Sequence, residues 1–212
     1  MKQEFTQEVK NYLMDYMQDI HTVLPGEVVS FNAGKCEATV KLTAKYWKPD
    51  KTKIDFPSVF EVPVYFPQGI AQGATIVYPV RPGDECIIFV AEQALDQWRT
   101  GAECETDLRF DITNAIAVVG FFSTPNPHVT RSDSNESIII QRAETFIELF
   151  DAKIEIYTDG DIFKEADLDI NMEAGKDMNI TVKANTTINT TGETNINSVG
   201  NTNIAGANIN LN

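Results

Sequence analysis

Apolar and polar positions change rhythm along this 212-residue chain, and each rhythm predicts a different element. Between residues 1 and 24, Phe5, Val9, Tyr12, Tyr16, Ile20 and Leu24 recur at spacings of three or four. That is one face of an amphipathic helix. Leu13 and Met17 widen the stripe, and Pro25-Gly26 reads as its stop. Such a helix either packs on its own domain or docks on another protein. Docking is favoured, because a separate β domain follows with little else to cover the helix.

Residues 25–122 switch to short alternating runs bounded by Gly and Pro. EVVSFN, a turn at Asn32–Lys35 and CEATVKLTAKYW form a hairpin with Val28, Val40 and Leu42 on one side. VFEVPVYF, TIVYPV, ECIIFV and AIAVVGFF follow as strands, with Pro82-Gly83 as a tight-turn signature. AEQALDQWRTG predicts one short helix, with Leu95 and Trp98 on one side. About five strands and one helix match the inventory of an OB-fold barrel. Residues 123–136, STPNPHVTRSDSNE, read as a linker by composition.

From 137 to 212 the period becomes eight. Met172, Ile180, Ile188, Ile196 and Ile204 form one column, and Phe146, Ile154, Ile162, Ile170 and Met178 form a second, two residues earlier. Residues two apart share a face of a strand, so each octad reads as a short strand followed by a turn. Gly160, Gly192 and Gly200 share one position, where a tight turn would call for positive φ. A helix cannot hold a period of eight on one face, and Thr, Asn and Gly disfavour it. Disorder is the competing reading of a polar, repetitive end, but the phased column argues for a β-helix.

One chain cannot bury these octads alone. Burying an isoleucine is worth ~1.5–3 kcal/mol, whereas ordering eight backbones costs ~1–2 kcal/mol each. Three chains wrapped about one axis would supply both the packing and the strand partners. The predicted fold is therefore all-β: an N-terminal helix, an OB-fold barrel and an intertwined trimeric β-helix. Its axis would be lined by Ile154, Ile162, Ile170, Met172, Ile180, Ile188, Ile196 and Ile204.

Charge narrows the partners. A formal net charge of −14 opposes nucleic acid and anionic lipid. The local basic stretch Lys41, Lys45, Lys48, Lys51 and Lys53 reads as a solvated loop or a contact to an acidic neighbouring subunit. No run of about 18 apolar residues spells a membrane span, and the N-terminus lacks the apolar core of a signal peptide. Cys36, Cys86 and Cys104 are expected to be free thiols made in the cytosol, Cys86 as a small buried hydrophobe. Trp47 and Trp98 are expected in core or edge packing. Asp159, Asp161, Glu165, Asp167 and Asp169 are expected to form a solvated acidic face. No catalytic or cofactor motif stands out, and neither enzyme activity nor a cofactor is expected.

Taken together, VPVYFP, PVRPGDECIIF, the following EQALDQW segment and DITNAIA resemble the central spike, or cell-puncturing needle, of contractile phage tails. The resemblance covers roughly residues 22 to 122, and the tail matches it by architecture. It implies a homotrimer in the virion tail baseplate, its OB domain seated on a hub protein and its β-helix driven mechanically through the target envelope. The helix residues Phe5, Val9, Tyr12, Tyr16 and Ile20 are the expected hub-docking set. Many such spikes end in a His-x-His metal tip, but here only His21 and His128 occur, both far upstream. No metal is therefore expected, and a separate cap protein could form the point. The alternative is a trimeric β-helical adhesin that binds or cleaves glycans.

Overall fold

The computed structural model describes residues 2–18, 20–48, 50–103 and 108–209, so Cys104 lies outside the described residues. Two compact units divide at residue 159/160.

The first unit opens with helix α1 (Lys2–Gln18). Strands β1 (Val23–Asn32), β2 (Glu37–Leu42), β3 (Lys45–Trp47), β4 (Lys53–Asp55), β5 (Val59–Pro63), β6 (Gln68–Gly69), β7 (Ala74–Thr75) and β8 (Glu85–Val90) follow. Helix α2 (Asp96–Thr100), strand β9 (Ala115–Val119) and helix α3 (Pro127–Asn135) come next. Strands β10 (Ile138–Arg142), β11 (Thr145–Leu149) and β12 (Ile154–Tyr157) end the unit.

The main sheet has the order β5-β2-β1-β8-β9, antiparallel throughout. Just past β5, Val64 bridges Ala117 of β9, and the Tyr65 amide donates to the Ala117 carbonyl at 2.8 Å. The two edges therefore approach each other, curling the sheet into an OB-like half-barrel. Alternation decides what it encloses: Val28, Val40, Leu42, Val62, Cys86, Ile88 and Ala117 all point into one buried core. Turn chemistry fits the fold. The Asn32 side chain accepts from the Lys35 amide at 3.2 Å in the β1–β2 turn. Gly83 takes φ +92° beside Asp84, whose carboxylate accepts from the Arg81 amide at 2.7 Å.

Several expectations need correction. The N-terminal helix stops at Gln18, not at residue 24, and Leu24 lies in β1 against the core. Pro25-Gly26 is not a helix stop but the middle of β1, where Gly26 is buried and opposite both Leu42 and Cys86. TIVYPV is not a continuous strand: β7 (Ala74–Thr75), paired with Gln68–Gly69, includes only its first residue, the Ile76 amide donates to the Pro67 carbonyl, and Ile76 and Val77 are exposed. Of core or edge packing, core packing does not hold for Trp47 and Trp98, which are 55% and 68% exposed. Trp47 has the Lys53 ammonium 4.3 Å above its ring instead.

The stretch read as a linker contains α3. The Asn126 side chain caps it by accepting from the His128 amide at 2.9 Å, and Pro127 occupies its first turn. Beyond it, residues 138–157 form an antiparallel meander, β10-β11-β12, instead of octads wound on an axis. Glu148 of β11 is fully buried beneath α3. Its Oε1 accepts from Asn135 Nδ2 at 3.0 Å and from Ser137 Oγ at 2.7 Å, and its Oε2 pairs with Arg131. The Arg131 guanidinium also lies 4.2 Å from the Phe146 ring centre. This polar clamp ties helix to meander.

The second unit, residues 160–212, contains no assigned helix or strand among its described residues.

Candidate functional site

Two apolar surfaces stand out because nothing among the described residues covers them. The first is the stripe on α1. Phe5, Val9, Tyr12, Leu13, Tyr16 and Met17 are all exposed, Phe5 at 68% and Tyr12 at 74%. Ile20 lies past the end of the helix and is also exposed, so the expected docking set is not a single helical face. The adjoining chain is anchored where the His21 amide donates to the Phe110 carbonyl at 3.2 Å.

The second surface is the octad segment. Bends recur at 151–152, 159–160, 167–168, 175–176, 183–184, 191–192, 199–200 and 207, an eight-residue period that follows the sequence period. Met172, Ile180, Ile188, Ile196 and Ile204 each stand four residues past the end of a bend. All five are exposed, Ile188 at 76%, and so are Ile162 and Ile170. Ile154 falls in β12, paired with Leu149, and therefore belongs to the meander rather than to this segment. Gly192 and Gly200 sit at bends but do not take positive φ. The chain bends there without folding back into a hairpin, so no left-handed residue is needed.

Among the described residues from 161 to 209, no backbone amide bonds to a backbone carbonyl, and every residue is exposed. The hydrogen bonds seen are local, such as Thr190 Oγ1 with Thr194 Oγ1 at 2.9 Å across the 191–192 bend. A conformation this regular, with no backbone amide paired to a backbone carbonyl among the described residues 161–209, presents both a ladder and an apolar column to whatever lies beside it.

The acidic residues Asp159, Asp161, Glu165, Asp167 and Asp169 are exposed. Among the described residues, no group of three or more His, Cys, Asp or Glu side chains converges as a metal site. Sequence reasoning missed α3 and the Glu148 clamp. Asn126-Pro127 was a visible helix-start signal for the former. For the latter, a lone glutamate in the run FIELF carries no signal at all.

The chain is mostly β, with a curled, OB-like half-barrel followed by a segment that bends every eight residues. Residues 24–120 match the family model of the phage protein Gp138 N-terminal domain. The match runs from within β1 to just past β9 and covers the half-barrel, which supports a phage structural protein. No curated protein matches the chain.

Proposed function

We propose that the chain is the trimeric, membrane-piercing spike at the centre of a contractile phage tail, acting mechanically and without catalysis. The half-barrel, matched to a phage domain, seats the protein on a baseplate hub. Residues 160–212 of three copies wind together into a needle that sheath contraction drives through the host envelope. The observation that carries this reading is the octad segment: a bend every eight residues, an apolar side chain at a fixed offset, and, among the described residues 161–209, no backbone amide paired with a backbone carbonyl. Interchain strands would satisfy the backbone and bury the isoleucine column together. Such a closed prism has no free sheet edge. It also resists bending, because hydrogen bonds run around it along its whole length.

Light scattering of the full-length protein tests the assembly. The expected mass is three times the chain's 23.6 kDa, and a monomer at micromolar concentration would reject the reading. Vesicle-leakage assays on particles carrying the protein, with and without sheath contraction, test the piercing role.

A further inference from the structure

The apolar column of the octad segment has one charged member. Met172, Ile180, Ile188, Ile196 and Ile204 each stand four residues past the end of a bend, and Lys164 stands at the same offset past the bend at 159–160. Ile162, two residues past that bend, keeps the second column intact, as do Ile170 and Met178 after the next two bends. Lys164 is exposed, and none of the ion pairs among the described residues involves it. Strand alternation, which a wound needle requires, puts Ile162, Lys164, Ile170 and Met172 on one face. Asp161, Glu165, Asp169 and Glu173 fall on the other face. The nearby acids therefore point away from the lysine.

In the needle proposed above, the face that carries Ile162 and Met172 is the shared interior. Three Lys164 ammonium groups would then meet around one axis, between layers of isoleucine and methionine, with no acid on their side of the wall. Unpaired cations in an apolar interior are costly, and like charges there repel one another. A counter-ion on the axis removes both problems. Symmetry and charge select its kind. Three equivalent ammonium donors fit an anion that offers three equivalent oxygens and more than one negative charge, whereas a halide would leave more of the positive charge uncompensated. We propose that the wound trimer binds one tetrahedral oxyanion of the phosphate type on its axis, each copy contributing Lys164. Charge-assisted hydrogen bonds from the three ammonium groups to three oxygens hold it. The site rests on the spike reading, because it is incomplete without all three copies, and it makes needle assembly respond to phosphate.

The test titrates the full-length protein with inorganic phosphate by calorimetry, in chloride buffer of constant ionic strength. The expected stoichiometry is one phosphate for every three chains. Lys164→Met should bind none, yet should still assemble, because it continues the column with the residue found at Met172. Should that variant not assemble, Lys164→Gln supplies the uncharged comparison. Urea dissociation followed by light scattering gives a second readout. At phosphate about a hundred times its dissociation constant, the assembly constant should rise about a hundredfold. Lys164→Met should lose that rise, and Lys183→Met, altered at a bend, should keep it. A trimer that binds no phosphate, that binds one per chain, or that binds it unchanged without Lys164 overturns the site and leaves the spike reading standing. A monomer by scattering overturns both.

Discussion

Gly26 lies directly against Val40. A Cβ built on Gly26 would come 2.5 Å from Val40 Cγ1, 3.1 Å from the Lys41 carbonyl oxygen and 3.6 Å from Cys86 Sγ. The contact joins the middle of β1 to both of its neighbours, so the absence of a side chain is what lets β2, β1 and β8 close up around the core.

Gly26→Ala is therefore expected to destabilise the half-barrel by about 1–3 kcal/mol, the usual cost of overpacking a tight core. Urea unfolding followed by near-ultraviolet circular dichroism measures it. The double variant Gly26→Ala/Val40→Ala should recover part of the loss, because it removes the clashing methyl. No recovery would mean that the strain lies in the backbone instead.

The Glu148 clamp predicts a pH dependence. Hydrogen bonds from Asn135 and Ser137, aided by Arg131 and opposed by burial, hold its carboxyl below the ordinary value of 4.5. A carboxyl depressed in the folded state stabilises above its unfolded pKa. That contribution is fully present above about pH 4.5 and is lost as pH falls through the lowered folded value. Unfolding midpoints should therefore drop on acidification, and Glu148→Gln should flatten this part of the profile. An unchanged acid limb in the variant would remove Glu148 as its source.

Which parts of this fold the sequence discloses follows from how local each signal is. The β1–β2 hairpin, β8 and β9 were legible, because alternation and turn residues act over a few positions. The bends were legible because a period of eight survives in the isoleucine column. Leu24 and Pro25-Gly26 misled because a spacing of four from Ile20 continued the helical stripe into what tertiary pairing with β8 makes a strand. In TIVYPV, β propensity was real, but the paired strand takes in only its first residue, Thr75. Glu148 was invisible because its partners arrive from α3 and from Ser137 just past it, across a loop and a strand. Of the candidate surfaces, the apolar residues could be read, but their exposure required the fold.

Thiol chemistry separates the two described cysteines. Cys86 is 1% exposed, and burial pushes its thiol up to about 11. At pH 8 only roughly one part in a thousand would be thiolate. Cys36 is half-buried, with Sγ 3.4 Å from the Val64 carbonyl. In a Cys104→Ser background, a chromogenic disulfide should modify Cys36 in the native protein and Cys86 only on unfolding. Equal native rates would show that β1 and β8 open readily.

The isoleucine column offers the sharpest contrast between neighbouring positions. Ile188 and Asn189 are adjacent and both exposed in the single chain, so a chain that acts alone should tolerate an acid equally at either. If three copies wind about one axis, strand alternation puts only Ile188 inside. Ile188→Asp would then gather three carboxylates in an apolar centre, where burying unpaired charge is prohibitive. The expected outcome is loss of the trimer in light scattering for Ile188→Asp and its retention for Asn189→Asp, with the half-barrel folded in both. Heating in SDS should separate them the same way, since a needle held by buried backbone pairing dissociates slowly once formed. Equal behaviour of the two variants would place the column outside any shared core.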